Sequence, residues 1–143
     1  MSSHVPAELR RLVASRADWL CEYCLIAEAD TFVGCQVDHI ISEKHGGPNV
    51  AENTALACAF CNRAKGSDVG SITSAGLFCR FYHPRTDCWS VHFVLDGARI
   101  VSLTDIGEVT ARIFEFNTLD RLMEREELAR IGRYPSEAAL RRM

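Results

Sequence analysis

The chain has 143 residues and a formal charge of −3 from 16 basic and 19 acidic side chains. That length fits one domain with at most a short appended element, and a domain of this size buries roughly 65–70% of the surface its unfolded chain exposes. With 48% hydrophobic residues the composition excludes a disordered chain, and no apolar run is long enough for a membrane helix. Neither half carries a basic surplus, so nucleic-acid binding by bulk charge is excluded and any such contact needs a local cluster or a bound metal. No apolar segment of signal-peptide type follows Met1, and the expected location is the cytoplasm.

In chain order, Leu9, Leu12, Val13 and Leu20 recur at helical spacing, so Pro6 to about Leu20 is a predicted amphipathic helix with proline in its first turn. It runs into Cys21-Glu22-Tyr23-Cys24, a predicted tight turn. Thr31 to Val37 is β-prone and leads to Asp38-His39. Ser42 to Asn53, with Gly46-Gly47-Pro48, is a predicted loop. Asn53 to Leu56 leads into Cys58, and a helix is predicted to begin near Asn62, which suits a helix N-cap. Gly66 to Gly76 is a predicted connection. Trp89 to Leu95 and Ala98 to Leu103 flank Asp96-Gly97 as a predicted hairpin, with Val91 and Phe93 on one face and His92 on the other. Thr104 is a candidate cap for a helix carrying Ile106, Val109, Ile113 and Phe116 on one side. A last helix is predicted from Thr118 to Ile131, stopping at Gly132, with a frayed tail from Pro135 to Met143. On that helix and just beyond it, Arg121, Arg125, Arg130 and Arg133 alternate with Glu124, Glu126 and Glu127, the pattern of a solvated face with local pairs.

Seven cysteines in a chain with this expected location point to metal before disulfide. Four of them form two C-x2-C pairs, Cys21/Cys24 and Cys58/Cys61, and a two-residue gap lets both sulfurs of a pair turn to one point. Together they predict a tetrahedral Zn²⁺ site, and its four ligands leave no open position for catalysis. Chemistry then needs a second centre, and the spacer supplies Asp38-His39 and Asn53, with Asn62 directly after Cys61.

These residues stand in three ordered motifs: C-E-Y-C, then V-D-H-I-I-S-E-K-H-G-G, then E-N-T-A-L-A-C-A-F-C-N-R-A-K. The combination resembles the HNH endonuclease family, in its four-cysteine zinc subgroup, over about Cys21 to Lys65. The residue types suit phosphodiester hydrolysis: a neutral histidine accepts a proton from water near physiological pH, and a carboxylate holds Mg²⁺ or Mn²⁺. The resemblance implies an α+β chain with a ββα-metal (His-Me finger) core stapled by the four-cysteine zinc site, followed by a β-hairpin and C-terminal helices. By that likeness His39 is the general base, Asp38 a ligand of the catalytic metal, and Asn53 the residue that steadies the loop and orients the histidine. Asn62 falls on the third signature position, usually histidine, so the pattern here is H-N-N and an amide oxygen replaces the usual ligand. The implied product ends are a 5′-phosphate and a 3′-hydroxyl. Residues 1–70 would form the zinc module and 71–143 the extension packed against it.

His45 beside Gly46-Gly47 suits a loop histidine, and Arg63 and Lys65 are candidates for phosphate contact or surface charge. The stretch Phe81-Tyr82-His83-Pro84-Arg85 with Trp89-Ser90-Val91-His92-Phe93 looks like the H-P-R…W…H-F tail of bacterial family members. His83, Arg85, Trp89 and His92 there either pack the fold or extend the site. Against the endonuclease stand two other readings: a zinc-organised nucleic-acid-binding module without catalysis, and a protein-interaction domain using the helix near Leu119 to Ile131.

Overall fold

The computed structural model describes residues 4–143. Helix α1 (Ala7–Arg16) has Glu8 in its first turn and Arg16 in its last, the arrangement the helix dipole favours. It ends four residues before the predicted Leu20, because Asp18 and Trp19 take left-handed backbone angles. That turn lets Leu20 bridge to Ala27 and closes the loop holding the first cysteine pair.

Thr31 to Gly34 lies outside regular strand, with Phe32 wholly exposed, and strand β1 begins later (Cys35–His39). It pairs antiparallel with β2 (Thr54–Cys58), which sets Cys35 opposite Cys58 and His39 opposite Thr54. Every residue of β2 is buried, which its apolar run Ala-Leu-Ala-Cys permits. Helix α2 (Ala59–Lys65) follows without a loop. Its N-cap is Cys58, whose Sγ accepts from the Cys61 N–H, so Asn62 lies inside the helix and is not its cap as predicted.

The predicted connection after Gly66 contains a short hairpin, β3 (Gly70–Ile72) with β4 (Phe78–Arg80). The predicted hairpin around Asp96-Gly97 is present as β5 (Phe93–Asp96) and β6 (Arg99–Ser102). Its first strand is shorter than expected, because Trp89–His92 form one helical turn, α3. Trp89 and His92, three apart, therefore both point inward and Val91 is exposed, against the strand alternation expected.

Thr104 caps α4 (Asp105–Ile113) through the Gly107 N–H, as its residue type predicts. Phe116 does not extend the face of α4. A left-handed residue, Glu115, turns the chain after the helix, and Phe116 enters the core from there. Helix α5 (Leu119–Arg130) ends before Gly132, but its arginines do not share one solvated face. Arg121 and Arg125 are only 4% and 1% exposed. Arg125 donates to the carbonyls of Ala98 and Phe116 at 2.7 Å each, which satisfies a buried cation with fixed dipoles and ties α5 to the β5–β6 turn. Arg130 and Arg133 are exposed, as expected.

The tail is ordered, against expectation. Ser136 caps α6 (Glu137–Leu140), Ala139 is fully buried, and Arg142 donates to the Arg16 carbonyl at 3.0 Å. The whole is a mixed α and β structure with three two-stranded sheets among the described residues. Its buried cluster runs from Val13 and Leu56 through Tyr23 and Phe81 to Phe114 and Phe116. Among the described residues no helix is long and apolar enough to cross a membrane.

Candidate metal centre and active-site cleft

The two C-x2-C turns meet. The Sγ atoms of Cys21, Cys24, Cys58 and Cys61 all lie within 4.8 Å of one another and all four residues are buried. In the first turn Leu25 adopts a left-handed angle, the Leu25 N–H donates to the Cys21 carbonyl at 2.9 Å and the Cys21 N–H to the Ile26 carbonyl at 2.8 Å. In the second, the end of β2 and the first turn of α2 do the same work. Zinc–sulfur bonds of about 2.3 Å set tetrahedral sulfurs about 3.8 Å apart, and Cys24 Sγ to Cys58 Sγ is 3.7 Å. The donor set and its spacing fit a zinc ion.

Arg121 stands beside this cluster. One of its terminal nitrogens lies 3.3 Å from Cys61 Sγ and 3.7 Å from Cys58 Sγ, and the other donates to the Phe114 carbonyl at 2.9 Å. Burial works against the Arg121 charge, and the sulfurs of Cys61, Cys24 and Cys58 more than offset it, holding the guanidinium above its ordinary value. A guanidinium here would compensate the negative charge that four thiolates bring to a bound dication.

A second feature is an open cleft of about 890 Å³ beside β1 and α2, lined by Gln36, Asp38, His39, Asn62, Lys44 and Arg10 among others. The last residues of β1 thus bring His39 and Asp38 to the same cleft as Asn62 from α2. The Asn62 side-chain amide donates to Gln36 Oε1, which leaves its carbonyl oxygen for another partner.

His39 Nε2 lies 3.1 Å from Asn49 Oδ1 and 3.7 Å from a Glu43 carboxylate oxygen. Asn49 spends its Nδ2 on the His4 carbonyl, so its oxygen faces the imidazole. An acceptor opposite Nε2 requires the proton on Nε2 and leaves Nδ1 as a lone pair, without a protein partner among the described residues.

Asn53 is buried beneath this loop. Its Oδ1 accepts from the Ile41 N–H at 2.9 Å, and its Nδ2 donates to the carbonyls of Ile41 and Pro48, each at 2.9 Å. It pins the two ends of the segment after His39 to each other. Gly47 completes the closure: a Cβ there would stand 1.7 Å from the Ile41 carbonyl oxygen and 2.8 Å from Asn53 Nδ2. Gly47→Ala is therefore expected to destabilise the protein by about 1–3 kcal/mol through broken buried hydrogen bonds, read by urea unfolding. At Gly46, a Cβ would meet open space and only the left-handed angle is strained, so Gly46→Ala should cost less, about 1–2 kcal/mol.

Asp38 is 4% exposed and its two oxygens are both engaged. Oδ2 accepts from the Tyr23 hydroxyl at 2.7 Å and Oδ1 from Lys65 Nζ at 3.2 Å. Burial pushes the carboxyl up, and the Lys65 ammonium and Tyr23 hydroxyl counter only part of that. Each oxygen keeps a further lone pair, so the Asp38 carboxylate and the Asn62 amide oxygen are donors for a hard divalent cation, in a cleft that the Glu43 carboxylate also lines. Lys65 is 2% exposed and also donates to the His39 carbonyl at 2.8 Å, so the expectation of a surface or phosphate contact is corrected. Arg63 and His45 are exposed.

Tyr23, Asn49 and Glu43 carry the geometry of this cleft with Lys65 and were not among the predicted site residues. Lys65 was visible as part of a motif but its burial was not. The H-P-R…W…H-F residues do not line the cleft. Arg85 pairs with Glu22, Trp89 Nε1 donates to the Tyr23 carbonyl at 2.9 Å, and His92 Nδ1 lies 2.6 Å from the Thr104 hydroxyl. His83 Nδ1 accepts from the Arg85 N–H at 3.2 Å.

The two C-x2-C turns, a histidine-bearing strand and a following helix form one module around a candidate metal site. Residues 21–68 match the model of the HNH endonuclease family. The match runs from Cys21 to just past α2, the span over which the motifs resemble that family. No curated protein and no solved structure matches the chain.

Proposed function

We propose that the protein is a metal-dependent endonuclease that hydrolyses DNA phosphodiester bonds, with β1, β2 and α2 as a ββα-metal core. The observation that carries this is the His39 imidazole, held at Nε2 by Asn49 with its Nδ1 free, in the cleft shared by Asp38 and Asn62. Asp38 and Asn62 would hold Mg²⁺ or Mn²⁺, and that ion would supply positive charge at the scissile phosphate and its leaving oxygen. His39 Nδ1 takes one proton of the attacking water as its oxygen bonds to phosphorus, the bond from phosphorus to the 3′ oxygen breaks, and the departing oxygen takes a proton from solvent in the open cleft. The resulting imidazolium keeps Asn49 Oδ1 and the Glu43 carboxylate opposite Nε2–H. Asn53 holds the loop so that the ring stays aimed. Arg10 and Lys44, lining the cleft, suit phosphate contacts, while Cys21, Cys24, Cys58 and Cys61 hold structural Zn²⁺. The second half, 71–143, buttresses this module. Seven free cysteines suit a reducing cytoplasm.

The test is nicking of supercoiled plasmid by zinc-loaded protein with Mg²⁺ or Mn²⁺, with a brief EDTA control. Cleavage that depends on the added metal supports the reading. The engaged oxygens of Asp38 and the Asn at position 62 favour one other reading, a nucleic-acid-binding module without catalysis. Folded protein that binds several DNA and RNA forms and cuts none establishes that reading instead.

A further inference from the structure

The aromatic and basic residues of the second half converge on three residues of the first zinc turn, Glu22, Tyr23 and Cys24. Arg85 pairs with Glu22, whose other oxygen accepts from the Leu56 N–H at 2.9 Å. Trp89 Nε1 donates to the Tyr23 carbonyl and the Tyr134 hydroxyl to the Cys24 carbonyl, each at 2.9 Å. The Tyr23 ring meets Phe114 and Tyr82 edge-on, with centroids 4.9 and 6.5 Å away. The ring has nowhere to turn, and it is fully buried.

From that fixed ring the hydroxyl reaches Asp38 Oδ2, while Lys65 holds Oδ1 from the other side. A phenylalanine would fill the same space and satisfy the same aromatic contacts. The hydroxyl adds one thing, a donor to the carboxylate, and a buried donor opposite a carboxylate fixes the plane in which its remaining lone pairs point.

We propose that Tyr23 is a positioning residue of the hydrolytic centre: residues of the second half clamp the first zinc turn, and the tyrosine within that turn orients the Asp38 carboxylate toward the cleft. The proposal rests on the reading of Asp38 as a holder of the divalent ion. It gives the H-P-R…W stretch a role at a distance from the substrate, and it couples the structural zinc site to the chemistry without a shared ligand.

The experiment compares zinc-loaded wild type, Tyr23→Phe, Trp89→Phe, the double variant and Asp38→Asn. Mn²⁺ binding is read from the electron paramagnetic resonance of the free ion, alongside zinc content, DNA affinity in the absence of divalent metal, and plasmid nicking. Tyr23→Phe should retain zinc and DNA affinity while losing about 10–100-fold in Mn²⁺ affinity or in nicking rate at saturating DNA. Trp89→Phe should shift the same quantities in the same direction by less, and the double variant should be no worse than Tyr23→Phe, since both act through one ring. Wild-type Mn²⁺ affinity and nicking rate in Tyr23→Phe, or effects of the two substitutions that simply multiply, would overturn the proposal. Should Tyr23→Phe shed its zinc, Trp89→Phe decides: unchanged Mn²⁺ binding and nicking there overturn it. Mn²⁺ binding that Asp38→Asn leaves untouched removes Asp38 from the metal and takes this inference with it. Wild type that binds Mn²⁺ through Asp38 yet cuts nothing overturns the nuclease reading alone.

Discussion

His39→Ala is expected to slow plasmid nicking by about 10²–10⁴-fold, the usual contribution of a positioned general base, with zinc content, DNA affinity and melting temperature close to those of wild type. The separation of effects follows from where the ring sits. Its side chain contacts Asn49 and Glu43 at the edge of the cleft, and the backbone that positions it is held by Asn53 and Lys65, which the substitution leaves in place. Removing the imidazole therefore takes away the proton acceptor and leaves β1, the loop and the zinc cluster intact. Added imidazole should restore part of the lost rate, because the cavity left by the ring opens to the cleft. A variant that nicks at the wild-type rate would remove His39 from the role of base and move the search to another group in the cleft.

The parts of the site that chain-local patterning could carry were legible. The C-x2-C turns specify their own geometry and Gly46-Gly47-Pro48 marked the loop, whereas Asn53 as its brace came from the family resemblance and is seen in the bonds to Ile41 and Pro48. What was not legible depends on long-range packing. Asp38 looked like an open ligand because nothing nearby in sequence reveals that Tyr23 and Lys65, 15 residues before and 27 after it, close on both its oxygens. Arg121 and Arg125 looked solvated because their acidic neighbours on α5 suggested local pairs. Their partners are sulfurs and carbonyls from other segments, while the local pairing holds further along the helix, where Glu127 pairs with Arg130. Trp89 to His92 alternated like a strand, but the Trp89 indole N–H needed a buried acceptor, and one helical turn brings it to the Tyr23 carbonyl. The tail looked frayed because it is short. Its order comes from Ala139 in the core and from Arg142 on Arg16, neither of which a local pattern discloses.

Stripping the zinc is expected to unfold the protein, not only to inactivate it. Structural zinc is worth about 10–16 kcal/mol in small modules, as much as the whole stability of a domain, about 5–15 kcal/mol. Here the loss has a second component. Arg121 is buried against Cys58 and Cys61, and once the metal leaves and the thiols take up protons, its guanidinium loses the anionic sulfurs and keeps only neutral partners, the Phe114 and Glu115 carbonyls and the Phe60 and Phe116 rings. An uncompensated buried charge costs about 3–5 kcal/mol when one partner is removed, so α5 and the hairpin it holds through Arg125 should come away with the zinc turns. Chelation of the zinc, or Cys61→Ser, should therefore abolish the near-ultraviolet circular dichroism of the core aromatics and the cooperative thermal transition together. Cys88→Ser, at an exposed position, should change neither. Arg121→Met separates the two components: it removes the charge that zinc loss would strand, so the folded variant should release zinc to a chelator faster than wild type but keep more structure once the zinc has gone. A zinc-free wild type with a sharp melting transition would show that the aromatic core, from Tyr23 to Phe116, suffices to hold the fold and that the metal only fixes the knuckle.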